Sequence, residues 1–193
     1  LGDRIIEGSM EFLQKVEQTG RSYLFLTNNS SRSVQHYVEK LGRLGLHVGE
    51  DKILTSGQAA AQYLKREYPG KRVFLLGNPS LREEMEKHGI ALEDEHPDLV
   101  LVGFDTTLDY AKMTRVCDLV REGLPYIATH PDFNCPTESG FIPDIGAIMA
   151  FIEASTGRKA DVIIGKPCGE IVRAAQERTG LAPGEMAMVG DRL

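Results

Sequence analysis

Residues 22–33, SYLFLTNNSSRS, change from apolar to polar in a single step. An apolar and aromatic run ends at Thr27, and only polar residues follow as far as Ser33. The apolar run predicts a buried strand, and clusters of Ser and Asn are typical of turns and helix caps. Whether these polar residues only cap the next helix or also hold a ligand depends on what the ends of other strands supply.

The same alternation continues on both sides of this stretch. Apolar residues at helical spacing predict helices over 8–20, 33–46, 55–70, 80–89, 109–123, 145–157 and 169–180. Short unbroken apolar runs predict strands over 22–27, 72–77, 98–104, 125–130, 161–166 and 185–191. Such β-α alternation predicts a doubly wound, Rossmann-like α/β fold, with parallel sheets covered by helices on both faces.

The alternation also indicates two domains. Residues 55–142 contain a complete α/β set of their own, bracketed by the loops GLHVGEDK and HPDFNCPTESGFIPD. We therefore expect a core formed by residues 1–54 and 143–193, with residues 55–142 inserted into it. Because the chain begins at a helix and ends just after a predicted strand, we expect it to be an internal piece of a longer protein.

Composition excludes several classes of function. A net charge of −6 disfavours nucleic-acid binding, which needs a basic surplus to displace counterions from phosphates. The longest apolar runs are too short to span a bilayer. Cys117, Cys135 and Cys168 are widely spaced and form no C-x-x-C motif, which favours free thiols in a reducing, cytoplasmic environment.

Polar groups follow three of the predicted strands. Thr27 and Asn28 follow the first, Lys166 follows DVIIG, and Asp191 and Arg192 follow MAMVG. Ligands of open α/β sheets bind outside the carboxyl ends of the strands. A hydroxyl and a lysine suit a phosphate group, and a carboxylate suits Mg²⁺. On one sheet these three strand ends would form a phosphate site with a metal.

Each motif alone has a simpler explanation. TNNS is more often a helix cap than a site. GKP lacks the spacing of a P-loop, and GD is common at turns. Only their combination at the ends of three strands favours a phosphate site.

The three motifs together resemble a known family. LFLTNNSS, IIGKP and MAMVGDRL are similar to motifs II, III and IV of the haloacid dehalogenase-like (HAD) phosphatases, in the branch of NagD-type and 4-nitrophenylphosphatase-type sugar phosphatases. The resemblance implies that Thr27 and Asn28 bind the transferring phosphoryl group and that Lys166 neutralises it and orients the nucleophile. It also implies that Asp191 binds Mg²⁺ and that Arg192 contacts the substrate.

The resemblance further implies that residues 55–142 form a cap domain of the larger α/β kind. Such a cap closes over the site, excludes water and selects the substrate. The loop THPDFNCP would then contact the leaving group through His130, Asp132 and Asn134. The expected substrate is a small phosphate ester, such as a sugar phosphate, phosphoglycolate or 4-nitrophenyl phosphate, and the cap is a candidate surface for homo-oligomer formation.

The chain departs from the family pattern in its nucleophile. HAD phosphatases attack phosphorus with the first aspartate of an Asp-x-Asp motif, and no D-x-D-G-T occurs here. We expect that motif just upstream of Leu1, and we expect the isolated 193-residue piece to be inactive. Asp3, in a GDR turn, and the Cys168 thiol are poor substitutes. Cys135 and His130 are too few ligands for zinc.

The sequence thus predicts a Mg²⁺-dependent phosphomonoester hydrolase that acts through an aspartyl-phosphate intermediate. The missing Asp-x-Asp leaves a second interpretation, a non-catalytic phosphate-ester-binding or regulatory module with the same fold. A nucleotide-dependent α/β enzyme is a weaker alternative, since no G-x-G-x-x-G follows any predicted strand.

Overall fold

The computed structural model describes residues 5–137 and 139–190. Within them the helices are α1 (Ser9–Gln18), α2 (Val34–Arg43), α3 (Ser56–Glu67), α4 (Pro79–Lys87), α5 (Tyr110–Arg121), α6 (Ile145–Thr156) and α7 (Gly169–Thr179). The strands are β1 (Phe25–Thr27), β2 (Ile53–Thr55), β3 (Arg72–Leu76), β4 (Ala91–Leu92), β5 (Leu99–Val102), β6 (Tyr126–Ala128), β7 (Asn134–Thr137), β8 (Gly140–Pro143) and β9 (Val162–Ile163). All seven predicted helices form.

The larger sheet has five parallel strands in the order β4-β3-β5-β6-β9. Successive side chains point to opposite faces, so its unbroken apolar strands supply two cores. One core packs under α3, α4 and α7, and includes Val73, Leu75, Leu99, Leu101 and Ile127. The other packs under α5 and α6, and includes Phe74, Leu76, Val100, Val102 and Tyr126. This arrangement confirms the doubly wound α/β fold.

A separate, smaller sheet pairs β1 with β2 in parallel, with Phe25 opposite Ile53 and Thr27 opposite Thr55. The antiparallel hairpin β7–β8 belongs to neither of these two sheets. The sequence did not indicate β2, because its apolar run is only Ile53 and Leu54 and the next residue, Thr55, is the N-cap of α3. Leu24 and Leu26 pack against the core under α3 and α7. The two sheets therefore share part of one core.

The predicted placement of three strand ends on one sheet is wrong. β9 pairs with β6 of the larger sheet, whereas β1 belongs to the smaller one. The ladder continues past β9, since the Ile164 N–H donates to the Ala128 carbonyl at 3.0 Å and the Gly165 N–H donates to the Thr129 carbonyl at 2.8 Å. The larger sheet consequently draws strands from both sides of residue 142, while the domain boundaries themselves stay a prediction.

The predicted strand over 185–191 does not form in its described part. Residues 186–190 have no strand pairing there, and Met188 and Val189 are 63% and 72% exposed. Besides β2, two further strand regions went unrecognised in the sequence: β4, and the antiparallel hairpin β7–β8 inside the proline-containing loop. Asp3, Asp191 and Arg192 lie outside the described residues. In the described ranges, no helix has the length and apolar character needed to cross a bilayer.

Candidate active site

The loop after β1 lies across the carboxyl edge of the larger sheet. The Asn78 amide, beyond β3, donates to the Ser31 carbonyl at 2.9 Å. Ser30 Oγ accepts the Phe104 N–H, beyond β5, at 3.0 Å and lies 3.0 Å from Thr129 Oγ1, beyond β6. Because all strands of this sheet run in one direction, their carboxyl ends meet at this edge. The loop is therefore fixed at the place where α/β proteins bind ligands.

Asn28 in the same loop contacts the chain beyond β9. Its Oδ1 accepts the Lys166 N–H at 2.7 Å, and its Nδ2 donates to the Lys166 carbonyl at 3.0 Å and to Asp132 Oδ2 at 3.1 Å. The Ser56 hydroxyl donates to the Asn28 carbonyl. Asn28 is only 8% exposed, and both N–H groups of its amide have partners in the chain. The polar atoms of its side chain are thus all used in hydrogen bonds to Lys166 and Asp132.

The Lys166 side chain reaches back to β1. Its Nζ donates to the Leu26 carbonyl at 3.3 Å, immediately before Thr27. Thr27 Oγ1 accepts the Asn29 N–H at 3.2 Å, which holds the hydroxyl at the start of the turn. The ammonium group of Lys166 is therefore bound to the residue next to Thr27, although their strands belong to different sheets. Together the Thr27 hydroxyl and the Lys166 ammonium can bind phosphoryl oxygens.

His130 is fully buried in a chain of hydrogen bonds. Nδ1 lies 3.0 Å from Thr129 Oγ1, and Nε2 lies 3.0 Å from Asp144 Oδ1, which also accepts the Ile145 N–H at 2.6 Å. Since a carboxylate only accepts, Nε2 carries the hydrogen. With 0% exposure and both nitrogens engaged, His130 has no surface for the predicted contact with a leaving group.

His130, Asp132 and Asp144 are close enough to raise the question of a metal, since one ligand atom from each lies within 4.8 Å of the others. A histidine binds a metal through a free ring nitrogen, and both nitrogens of His130 already have partners. Mg²⁺ prefers oxygen ligands. The trio therefore does not fit Mg²⁺, and the predicted metal ligand Asp191 lies outside the described residues.

The hairpin carries Asn134 and Cys135. Asn134 is exposed on β7, and in the described ranges its side chain makes no hydrogen bond to the other site residues. Burial raises the pKa of the Cys135 thiol, and the charges of Asp144 and Asp132 raise it further. A thiol kept protonated in this way is a poor zinc ligand, so a Cys135–His130 zinc site has no support.

Two residues of this region escaped sequence analysis. Tyr37 of α2 lies beside Thr27, and burial raises the pKa of its phenol, an effect that the Thr27 side chain partly offsets. Asp144 is the N-cap of α6 and the partner of His130. In the sequence, Tyr37 is one member of an apolar helix face and Asp144 is an ordinary cap, so only the tertiary structure shows their place in the site.

The buried histidine gives a testable expectation for stability. His130→Ala removes the partner of Asp144 and Thr129 and leaves a cavity, so we expect the free energy of unfolding to fall by about 2–4 kcal/mol. Urea denaturation of the full-length protein measures this loss. The exposed His47 is the matched control, because His47→Ala should change stability by less than about 0.5 kcal/mol. Equal losses in both variants would contradict the role given to the network.

Known proteins with similar sequences and structures share one family. The sequence profile of the haloacid dehalogenase-like hydrolases matches residues 1–91. Acid sugar phosphatase of Staphylococcus aureus (strain MRSA252) is 35% identical over 192 residues, 99% of this chain and 74% of that protein. The solved 4-nitrophenylphosphatase of Thermotoga maritima has a TM-score of 0.95 and 46% identity, over 99% of this chain and 73% of its own. NagD from E. coli K-12 has a TM-score of 0.83 and 32% identity, over 92% of this chain and 69% of its own.

The chain belongs to the haloacid dehalogenase-like hydrolase family. Within it, the chain lies in the NagD-like branch and is an enzyme of the phosphatase class. The resemblance seen in the three sequence motifs is thereby confirmed. The relatives whose activity is named above are phosphatases, which leaves the interpretation as a non-catalytic module without support among them.

Proposed function

We propose that the protein hydrolyses small phosphate monoesters, such as sugar phosphates, phosphoglycolate or 4-nitrophenyl phosphate, in a Mg²⁺-dependent reaction. The observation that carries this proposal is the Lys166 ammonium, which donates at 3.3 Å to the carbonyl of Leu26, the residue directly before Thr27. The names of the relatives, acid sugar phosphatase and 4-nitrophenylphosphatase, support this substrate class.

In the proposed reaction, Thr27 donates its hydroxyl hydrogen to a phosphoryl oxygen and Lys166 neutralises the negative charge. The attacking group is a carboxylate oxygen of an aspartate, the nucleophile that the resemblance to the family implies. Its bond to phosphorus forms as the ester P–O bond breaks, and the leaving alcohol takes a proton from a second aspartate. Water then gives a proton to that second aspartate and attacks phosphorus, the bond between phosphorus and the first aspartate breaks, and inorganic phosphate leaves. In the transition states the negative charge is spread over the phosphoryl oxygens, where Lys166 stabilises it.

Several further parts of the proposal extend beyond this core. Asp191 would hold Mg²⁺, which when bound supplies further positive charge to the phosphoryl oxygens. Arg192 and the exposed Asn134 would contact the substrate. Residues 55–142 would act as the cap and as the surface of a homo-oligomer, and the enzyme would work in the cytoplasm.

The proposal predicts metal-dependent turnover of 4-nitrophenyl phosphate by the full-length protein. Release of 4-nitrophenol should be lost on treatment with EDTA and restored by added Mg²⁺, because the metal neutralises charge that develops during phosphoryl transfer. Assays with sugar phosphates and phosphoglycolate then rank the substrates by kcat/KM. Absence of turnover both with and without Mg²⁺ would overturn the proposal.

A further inference from the structure

Asn28 continues the hydrogen-bond ladder of β9 where the sheet itself ends. The Ile164 N–H donates to the carbonyl of Ala128, the last residue of β6, at 3.0 Å, and the Gly165 N–H donates to the Thr129 carbonyl at 2.8 Å. At the next residue the partner changes, and the Lys166 N–H and carbonyl both pair with the Asn28 amide, at 2.7 and 3.0 Å. One side chain thus replaces a strand neighbour and satisfies both polar groups of the Lys166 backbone.

Asp132 reinforces the orientation that the Lys166 N–H and carbonyl give to the Asn28 amide. A free amide can rotate and exchange its oxygen and nitrogen positions. Asp132 Oδ2 can only accept a hydrogen bond and lies 3.1 Å from Nδ2, which fixes the nitrogen on its side. Oδ1 is then left facing the Lys166 N–H. The acidic residue predicted to contact the leaving group therefore acts on the lysine through Asn28.

This pairing sets the distance between the two phosphate-binding groups. Thr27 and Asn28 are adjacent, so the loop that presents the hydroxyl also anchors the backbone of the lysine. From this fixed backbone the Lys166 side chain extends to β1, where its Nζ donates to the Leu26 carbonyl. Displacements of about 1 Å in a positioned group can cost about a hundredfold in rate. A loosened anchor should therefore lower kcat more than it raises KM.

We propose that Asn28 and Asp132 are positioning residues, with the Asn28 amide holding the Lys166 backbone and Asp132 orienting that amide. This inference rests on the proposed phosphatase function. It assigns the side chain of Asn28 to the lysine and not to the phosphoryl group. It also gives Asp132 a place inside the site without any contact to substrate.

The first test compares two isosteric substitutions in the full-length enzyme. Asn28→Asp keeps the acceptor for the Lys166 N–H but turns a second oxygen toward the Lys166 carbonyl and the Asp132 carboxylate. With 4-nitrophenyl phosphate we expect kcat to fall by about 10–100-fold and KM to change by less than about threefold. Asn29→Asp is the matched control, because Asn29 uses Oδ1 to accept the Ser31 N–H and hydroxyl, each at 2.8 Å. Its kcat should stay within about twofold of the parent enzyme.

The second test exchanges the two groups. Asn28→Asp combined with Asp132→Asn restores a donor and an acceptor across this contact at the original net charge. We expect the double variant to recover about tenfold of the kcat lost in Asn28→Asp, which simple loss of packing would not allow. A double variant no better than the more damaged single variant would overturn the role of Asp132.

The third test is independent of activity. Asn28→Ala removes the only partner that the described structure gives to the Lys166 N–H, so its hydrogen exchange, followed by NMR, should accelerate about tenfold or more. The Gly165 amide, bonded to the Thr129 carbonyl, should keep its rate. An inactive parent enzyme would refute the phosphatase proposal. The exchange rate of the Lys166 N–H would still show whether Asn28 holds the Lys166 backbone. An active parent with equal kcat in Asn28→Asp and Asn29→Asp would refute the positioning role alone.

Discussion

Lys166→Met should lower kcat for 4-nitrophenyl phosphate by about 10²–10³-fold, the usual loss when one group that stabilises transition-state charge is removed. The Lys166 ammonium lies beside the residue preceding Thr27, at 3.3 Å from the Leu26 carbonyl. Methionine keeps the length and apolar character of the side chain and removes its charge. The fold should therefore survive while the charge on the phosphoryl oxygens loses its partner. Initial rates and a circular dichroism melt of the same sample separate these two effects.

Lys159→Met provides the control for loss of a positive charge as such. Lys159 forms an ion pair with Glu153 at 3.5 Å, and its side chain is 78% exposed. Exposed pairs of this kind contribute about 0–1 kcal/mol to stability, and this residue lies away from the proposed site. We expect its kcat to match that of the parent. Full activity in Lys166→Met, or an equal loss in both variants, would remove Lys166 from the mechanism.

The sequence predicted which segments form helices and strands better than it predicted which strands pair. Apolar periodicity located the seven α-helices of the described ranges, and the runs VFLL, LVLV and YIA became the central strands β3, β5 and β6. Such runs show that a strand is buried on both faces, but they do not specify which strand lies next to it. DVIIG was therefore recognised as a strand and assigned to the wrong sheet.

The same limit applies to the site. Thr27 and Lys166 could be chosen from the sequence because each follows an apolar strand, and the ends of parallel strands tend to meet. The hydrogen bonds between the Asn28 amide and the Lys166 backbone could not be predicted, because the two residues are 138 positions apart. Asparagine after a strand is also common in ordinary turns. His130 was selected because it lies in the loop THPDFNCP, where the resemblance implies contacts with the leaving group. Nothing in the sequence indicated that its ring would be buried against Asp144.

Gly165→Ala should destabilise the full-length protein by about 1–3 kcal/mol or more, as expected when atoms are added to a well-packed interior. A Cβ at residue 165 would lie 2.5 Å from His130 Cβ, 2.6 Å from Asn28 Oδ1 and 2.9 Å from the Thr129 carbonyl oxygen. The first and last are a Cβ and a backbone oxygen, and Asn28 Oδ1 is held by the Lys166 N–H at 2.7 Å. In a protein of this size, the melting temperature should fall by roughly 2–4 °C per kcal/mol. Because the methyl group displaces Asn28, kcat should fall as well.

Gly169→Ala is the matched control for Gly165→Ala. Gly169 begins α7, and a Cβ there meets no other atom within 4 Å. Alanine also has the higher helix propensity, so we expect this variant to melt at or slightly above the parent temperature. The two glycines are four positions apart and receive the same methyl group, so the difference between their melting temperatures isolates the close approach at residue 165. Equal melting temperatures for both variants and the parent would contradict the close contact of Gly165 with His130 and Asn28. The anchoring of the Lys166 backbone by Asn28 would then lose its support.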